Sequence, residues 1–319
     1  MSIAYLDSLR NNIRRRTETD YIMPLRFPFI PLILNLITVP LIYILTPYIY
    51  YKLIAAPTAW FITSPQVFVP IICASINNLL VLLGAIICYI TNIHVLYKWI
   101  NPLVSLVAII FAIINFYVLY EWIKRRNEHF KRQLMVYRDI MSLLREISRE
   151  RGLDISTQIS LIDREISEAE IKETKKNAVL WAILVLLSGN WISPILPPIY
   201  MIILHVYPAL PPIGIVNLYV YHFLTKDFFV HERREDRIVT GIQDALGILG
   251  ARFTYRRYYE IPHRNTILYA ILTIITLGIF SLYWIYVITK DQNEHFLEQR
   301  KWEDAVVSAI EQLTLPSPP

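Results

Sequence analysis

Long apolar stretches alternate with charged blocks along this chain. Five stretches carry almost no charged side chain, with Glu121 the one exception, and they span residues 27–51, 53–97, 99–123, 177–225 and 265–289. At about 1.5 Å of rise per residue, each is long enough to cross the roughly 30 Å hydrocarbon core of a bilayer. Backbone polar groups in lipid must be satisfied within the segment, so the pattern predicts membrane helices.

One pattern of residues occurs three times. The copies read NFYVLYEWIKRRNEHF from Asn115, NLYVYHFLTKDFFVHE from Asn217 and SLYWIYVITKDQNEHF from Ser281. They align three histidines, which are His129, His231 and His295. Apolar residues follow each histidine at seven, eleven, fourteen and eighteen positions, and this heptad spacing is typical of an amphipathic helix. Each unit is therefore predicted to be an apolar segment followed by an amphipathic helix.

The upstream halves of two units also match. RNTILYAILTIITLG begins at Arg264 and KNAVLWAILVLLSG at Lys176, but the second unit has 24 additional, proline-rich residues between its halves, near 190–213. An insertion is tolerated at a turn and poorly within a helix. We therefore predict a helix break near Gly278, which makes each unit a re-entrant hairpin. The alternative is a single spanning helix at 99–123 and at 265–289.

The distribution of basic residues also favours hairpins. Residues 124–176 contain thirteen Lys and Arg, and residues 226–264 contain eight. Basic segments flanking membrane helices are kept on the cytosolic side. Hairpins would keep both blocks and both termini on that side.

Amphipathic helices are predicted outside the membrane segments. Residues 2–16 place Leu6, Leu9 and Ile13 on one face, which predicts an interfacial helix on an anionic leaflet. A heptad seam also runs through 154–176. Four such helices on one side of the membrane are expected to bury their seams together as a cytosolic bundle. Its predicted members are 131–150, 154–176, 233–250 and 296–313.

Together these patterns predict an all-α, polytopic protein of the cell membrane, built from tandem helical units, with both termini cytosolic. The predicted segments are an N-terminal amphipathic segment (1–26), first membrane helices (27–97), unit one (98–150), an amphipathic helix (151–175), unit two (176–250), an interfacial linker (251–263), unit three (264–314) and a tail (315–319).

Composition adds little chemistry to this picture. The chain is 55% hydrophobic with a mean hydropathy of +0.41, and its formal net charge of +5 indicates orientation in a membrane rather than nucleic-acid binding. Cys73 and Cys88 lie in one apolar stretch, so no disulfide framework or cysteine-based zinc site is expected. No motif for nucleophilic catalysis, phosphate binding or dinucleotide binding is present. We predict no enzyme, no catalytic residue and no cofactor.

The repeated histidines allow two interpretations. If the units packed about a pseudo-threefold axis, the side chains could converge and bind zinc. Alternatively, the repeat copies a polar contact at the point where each helix leaves the membrane. The flanking residues Glu128 and Val230 differ between copies, which weakens the case for a shared ligand environment. The prediction is therefore that no metal is bound.

The segment RFTYRRYYEIPHR, residues 252–264, interleaves arginine with aromatic residues. This composition can stack on nucleic-acid bases, but it is also typical of the belt at the depth of lipid headgroups. We favour the lipid interpretation and predict no nucleic-acid partner. The predicted contacts with anionic headgroups are Arg14, Arg15, Arg16, Arg252, Arg256 and Arg257.

TIITLGIFSLYWIYVITKDQNEH, residues 273–295, resembles a group of small prokaryotic membrane proteins of unknown function, whose units read roughly IITLGIYGLYW followed by Lys or Thr-Lys. Ser281 replaces a typical glycine of that family. The resemblance implies a membrane fold and brings no activity. We therefore predict a structural or scaffolding membrane protein that presents its bundle for self-association or to a protein partner. The alternative is a channel or transporter built from broken-helix repeats.

Overall fold

The computed structural model describes residues 3–30, 94–188, 215–276 and 279–314, with the backbone alone at 3–4, 94–109, 111, 187–188, 215, 279 and 314. The helices in these ranges are α1 (Ile3–Arg14), α2 (Arg16–Thr19), α3 (His94–Arg151), α4 (Ser156–Lys172), α5 (Ala178–Ser188), α6 (Ile215–Ile248), α7 (Thr266–Ile275) and α8 (Ile279–Thr314). A 3-10 turn, Phe27–Phe29, lies between α2 and α3. The described residues contain no strand, so the all-α part of the prediction is confirmed.

Within the described residues, no helix has both the length and the apolar character needed to cross a membrane. This finding contradicts the predicted polytopic membrane protein and its predicted multi-pass location with cytosolic termini. The apolar run at 265–289 is divided between α7 and α8, and α5 and α7 have only 11 and 10 residues. At about 1.5 Å per residue they extend roughly half the thickness of a hydrocarbon core. Most of the predicted first membrane helices (27–97) and all of the predicted insert near 190–213 lie outside the described residues.

Units two and three each fold as a pair of antiparallel helices. In unit three, α7 ends at Ile275 and α8 begins at Ile279, on either side of the helix break expected near Gly278. The chain reverses there, because Arg264 Nε at the start of α7 lies 2.9 Å from Asp291 Oδ2 on α8.

The ring contacts within these two pairs are equivalent. Tyr269 and Tyr283 have centroids 6.0 Å apart in unit three, and the matching residues Trp181 and Tyr219 have centroids 5.1 Å apart in unit two. Unit one differs, because α3 is continuous over 58 residues. The hairpin predicted at 99–123 is therefore wrong.

The predicted helical bundle is present. The heptad seams of α3, α4, α6 and α8 meet in one hydrophobic core, whose seam residues are Val136, Ile140, Leu143, Ile147, Ile155, Ile159, Ile162, Ile166, Ile238, Ile242, Ala245, Leu249, Trp302, Val306 and Ala309. Helix α1 adds Leu6, Leu9 and Ile13 to the same core. The apolar face of α1, which was predicted to lie on a lipid surface, is therefore buried against the bundle. An amphipathic pattern shows that a helix has an apolar face, but it does not show whether lipid or protein covers that face.

The short helices, which we call arms, occupy equivalent grooves. Arm α5 packs against α3 and α6, and arm α7 packs against α6 and α8. The third groove, between α3 and α8, receives the turn Phe27–Phe29. The segment YIMPLR at 21–26 matches YEIPHR at 259–264, which leads into α7. In the groove between α3 and α8, residues 21–29 therefore take the place that an arm takes in the other two grooves, and the three units surround a pseudo-threefold axis.

Candidate functional site

The three repeated histidines meet on this axis. One ring nitrogen of each lies within 4.8 Å of the other two, and Nε2 of His129 is 3.1 Å from Nε2 of His295. The ring centroids are 5.0–5.3 Å apart and the ring planes are inclined by 75–82°. The three residues are at most 2% exposed. The convergence that the repeat allowed as one of two interpretations is therefore observed.

The outer nitrogen of each ring faces a carboxylate from another part of the chain. The contacts are His129 Nδ1 with Asp20 Oδ1 at 3.0 Å, His231 Nδ1 with Glu173 Oε2 at 3.0 Å, and His295 Nδ1 with Glu232 Oε2 at 3.3 Å. A carboxylate at Nδ1 favours the proton on that nitrogen, which fixes the tautomer and the ring orientation. The lone pair of each Nε2 is then directed toward the axis.

A buried arginine holds each of these carboxylates. The pairs are Arg132 with Asp20, Arg234 with Glu173, and Arg257 with Glu232. Arg132 and Arg234 follow their histidines by three residues, on the same face of the helix. The corresponding position in unit three is Glu298, and there the arginine comes from the segment between α6 and α7. The same chain of contacts, from a histidine to a carboxylate to an arginine, therefore occurs three times around the axis.

Burial and charge set the protonation of this centre. Burial lowers the pKa of His129 to about 4, against the raising effect of Asp20. Burial raises the pKa of Asp20, but His129 and Arg132 together bring it below its usual range. Burial also raises the pKa of Glu235, which His295 and Arg257 lower to about 2. A neutral imidazole beside ionised carboxylates is the protonation state in which histidine acts as a ligand.

Three phenylalanines close the centre. Phe130 stacks on His231 with centroids 4.3 Å apart, and Phe296 lies 4.7 Å from His129. Phe228 lies 5.8 Å from His295. All three are buried. The histidines are thus surrounded by aromatic rings on the inside of the three long helices.

The arginines that were assigned to lipid headgroups divide into two groups. Arg257 is 5% exposed and binds Glu235 at 2.6 Å, and Arg16 binds Asp304 at 2.6 Å, so both are engaged within the protein. The other four are exposed: Arg14, Arg15, Arg252 and Arg256. A contact of these four with anionic headgroups stays a prediction.

Sequence reasoning missed the partners of the histidines. The differences at Glu128 and Val230 counted against a shared ligand environment, but the carboxylates come from Asp20, Glu173 and Glu232 instead. Asp20 precedes the segment 21–26, but the position before the matching segment 259–264 is Tyr258, which is 84% exposed, so the match gave no signal for the role of Asp20. Nothing in the spacing of Glu173 indicated its role.

The chain is similar to one family model, described as a domain of unknown function (DUF4234), over residues 264–310. The matched range is unit three, and it contains His295 and the segment on which the family resemblance rests. No curated protein and no solved structure matches the chain. The matched family has no assigned function, so function has to be argued from the geometry of the centre.

Proposed function

We propose that this chain is a structural protein, a helical scaffold whose bundle and arms serve self-association. The observation that supports this function is the burial of the polar centre. The histidines, Asp20 and Glu232 are between 0% and 2% exposed. Sites that bind or convert small-molecule substrates are concave and accessible to them, whereas groups buried to this degree act on the arrangement of the chain itself.

The centre joins segments that are far apart in sequence. Asp20 follows α2, Glu173 follows α4, and Arg257 lies between α6 and α7. Each is bound to a group on one of the three long helices. In some proteins, buried ionic groups of this kind select one arrangement of helices over others. A fixed arrangement is what a scaffold needs. Within the described residues, no observation favours the alternative of a channel or transporter.

The arms supply the surface for association. Their outward side chains are apolar and between 41% and 72% exposed, namely Val179, Leu180 and Ile183 on α5 and Ile267, Leu268, Ile271, Ile274 and Ile275 on α7. Contiguous exposed apolar patches mark interaction sites. The two arms are copies of one pattern, and repeats with open apolar faces bury them by packing against further copies. A second copy of the chain is therefore the occupant that we propose.

Sedimentation velocity over a range of protein concentrations tests this function. The native chain is expected to associate. The double substitution Ile267→Glu and Ile271→Glu is expected to yield a monomer with unchanged helical content. Thr240→Glu, at an exposed position of α6, is the matched control and should associate like the native chain. A native chain that stays monomeric at every concentration would contradict self-association, as would an arm variant that associates normally.

A further inference from the structure

We infer that His129, His231 and His295 together bind one transition-metal ion, with zinc as the expected ion, through their Nε2 atoms. This inference goes beyond the scaffolding function and does not depend on it. It rests on the direction of three lone pairs, on the distances between the nitrogens and on the groups behind each ring.

The lone pairs require a positive partner at the axis. The carboxylates that face Nδ1 of His129 and His295 favour lone pairs on both Nε2 atoms, yet these two atoms lie 3.1 Å apart, a distance at which one of them otherwise has to donate a proton to the other. Nε2 of His231 is buried and has no hydrogen-bond partner among the described residues. A buried acceptor without a partner destabilises the folded protein. One proton can bridge only two of the nitrogens, whereas one metal ion binds all three.

The distances fit a single ion. Zinc–nitrogen distances of about 2.0–2.1 Å in a tetrahedral site place two ligand nitrogens about 3.3–3.4 Å apart. The observed separation of 3.1 Å between two of them is close to this value, and the third lies within 4.8 Å of both.

The surroundings of the three rings are those of metal ligands. Histidines that bind metals almost always donate their other nitrogen to a carboxylate or carbonyl, and here all three face a carboxylate. Each of these carboxylates is held in turn by an arginine side chain, Arg132, Arg234 or Arg257.

The donor set indicates the class of ion. Three imidazoles suit zinc, copper, nickel and iron, whereas calcium and magnesium require oxygen ligands. Zinc sites with three protein ligands take water or another small molecule in the fourth position. Because aromatic rings enclose the histidines, the ion acts here as a joint that ties one helix of each unit to the other two.

Elemental analysis of the full chain, purified without an affinity tag of histidines and equilibrated with zinc, tests the inference directly. We expect one zinc per chain in the native protein and none in His231→Ala. His263→Ala is the matched control, because His263 is exposed and is not one of the three aligned histidines, and it should retain the ion. X-ray absorption at the zinc edge should show three nitrogen ligands at about 2.0–2.1 Å.

Thermal unfolding provides a second readout that does not need the alanine variant to fold. A strong chelator should lower the melting temperature of the native protein, and zinc should restore it. Asp20→Asn keeps all three ligands but weakens the support of His129, so its affinity for zinc should fall by about 10–100-fold. A folded native protein that binds no metal and ignores the chelator would overturn the inference, as would zinc retained by His231→Ala.

Discussion

The helices α3, α6 and α8 run through two regions of opposite character. The polar centre, at the histidines, is held by bonds to Asp20, Glu173 and Arg257, which belong to connecting segments. The seam, further along the same helices, is an apolar core shared with α1 and α4. Side chains of the seam pack against whichever apolar neighbour fits, whereas each polar group of the centre requires one particular partner. The seam can therefore stabilise several arrangements, and the centre selects one of them.

The energies of the two regions differ in origin as well. A buried leucine or isoleucine contributes about 1.5–3 kcal/mol through removal from water. In the centre, the attraction between charges is offset by their desolvation, so an intact buried pair adds little, while removal of one partner costs about 3–5 kcal/mol. Substitutions that place a charge in the seam or remove one from the centre should separate these two contributions.

The largest effect is expected in the seam. Leu143→Asp buries an unpaired carboxylate at a position that is 0% exposed, and the free energy of unfolding should fall by about 5 kcal/mol. Denaturant unfolding measures the loss. Arg145→Ala, two residues away on the exposed face, should change the free energy by less than about 0.5 kcal/mol. Similar values for the two variants would show that the heptads are not packed together.

In the centre, Asp20→Ala should cost about 3–4 kcal/mol. The substitution leaves Arg132 with one carboxylate fewer and removes the group that faces Nδ1 of His129. Asp7→Ala is the control, because Asp7 is exposed and only 3.6 Å from Arg10, and exposed pairs contribute at most about 1 kcal/mol. Denaturant midpoints of the two variants measure the difference. An equally small cost at Asp20 would mean that the polar centre does not hold the helices in one arrangement.

The two regions were not equally predictable from sequence. The seam was readable because helical periodicity alone decides which side chains face inward, and Val136, Ile242 and Val306 lie where the heptads placed them. The histidines were found through the repeat, but their carboxylates were not. Whether a polar residue such as Glu173 reaches a histidine depends on the path of its connecting segment, and the sequence of such a segment has no periodicity from which that path could be predicted. The segment that fills the third groove, residues 21–29, was missed because it is separated from α3 by a long stretch of chain.

Glu303 makes the stability of the polar centre depend on pH. It lies on α8, eight residues beyond His295, and its Oε1 accepts hydrogen bonds from Arg132, Gln133 and Gln299. Burial raises the pKa of this carboxyl to about 7, against the lowering effect of Arg132. The folded protein therefore favours the protonated form. The contribution of this group to stability is complete below its ordinary pKa of 4.5 and is lost as the pH rises through 7.

Glu303→Gln should remove this pH dependence. The glutamine amide oxygen can accept the same bonds without carrying a charge. At pH 8 the variant should be more stable than the native protein by about 3 kcal/mol, and the difference should shrink toward zero near pH 4.5. Comparing the two proteins at each pH isolates Glu303 from His129, whose lowered pKa gives an opposite slope. Parallel stability curves for the two proteins would contradict the assignment.

The smallest effect is expected outside both regions, at the start of the arms. Asn265 Oδ1 accepts a hydrogen bond from the backbone nitrogen of Leu268, and Asn177 Oδ1 accepts one from Leu180, both at 3.0 Å. These asparagines occupy the same position of the repeat, and each satisfies a backbone N–H that the first turn of its helix leaves open. Asn265→Ala and Asn177→Ala should each reduce stability by about 1 kcal/mol, whereas aspartate at either position should retain the cap.

The neighbouring contacts differ, since the arms face different long helices, but the cap itself is local. Denaturant unfolding should therefore give the two alanine variants costs that agree within about 0.5 kcal/mol. Unequal costs would show that the two arms share a sequence pattern but not an energetic role, and the pseudo-threefold relation would then apply only to the long helices and their histidines.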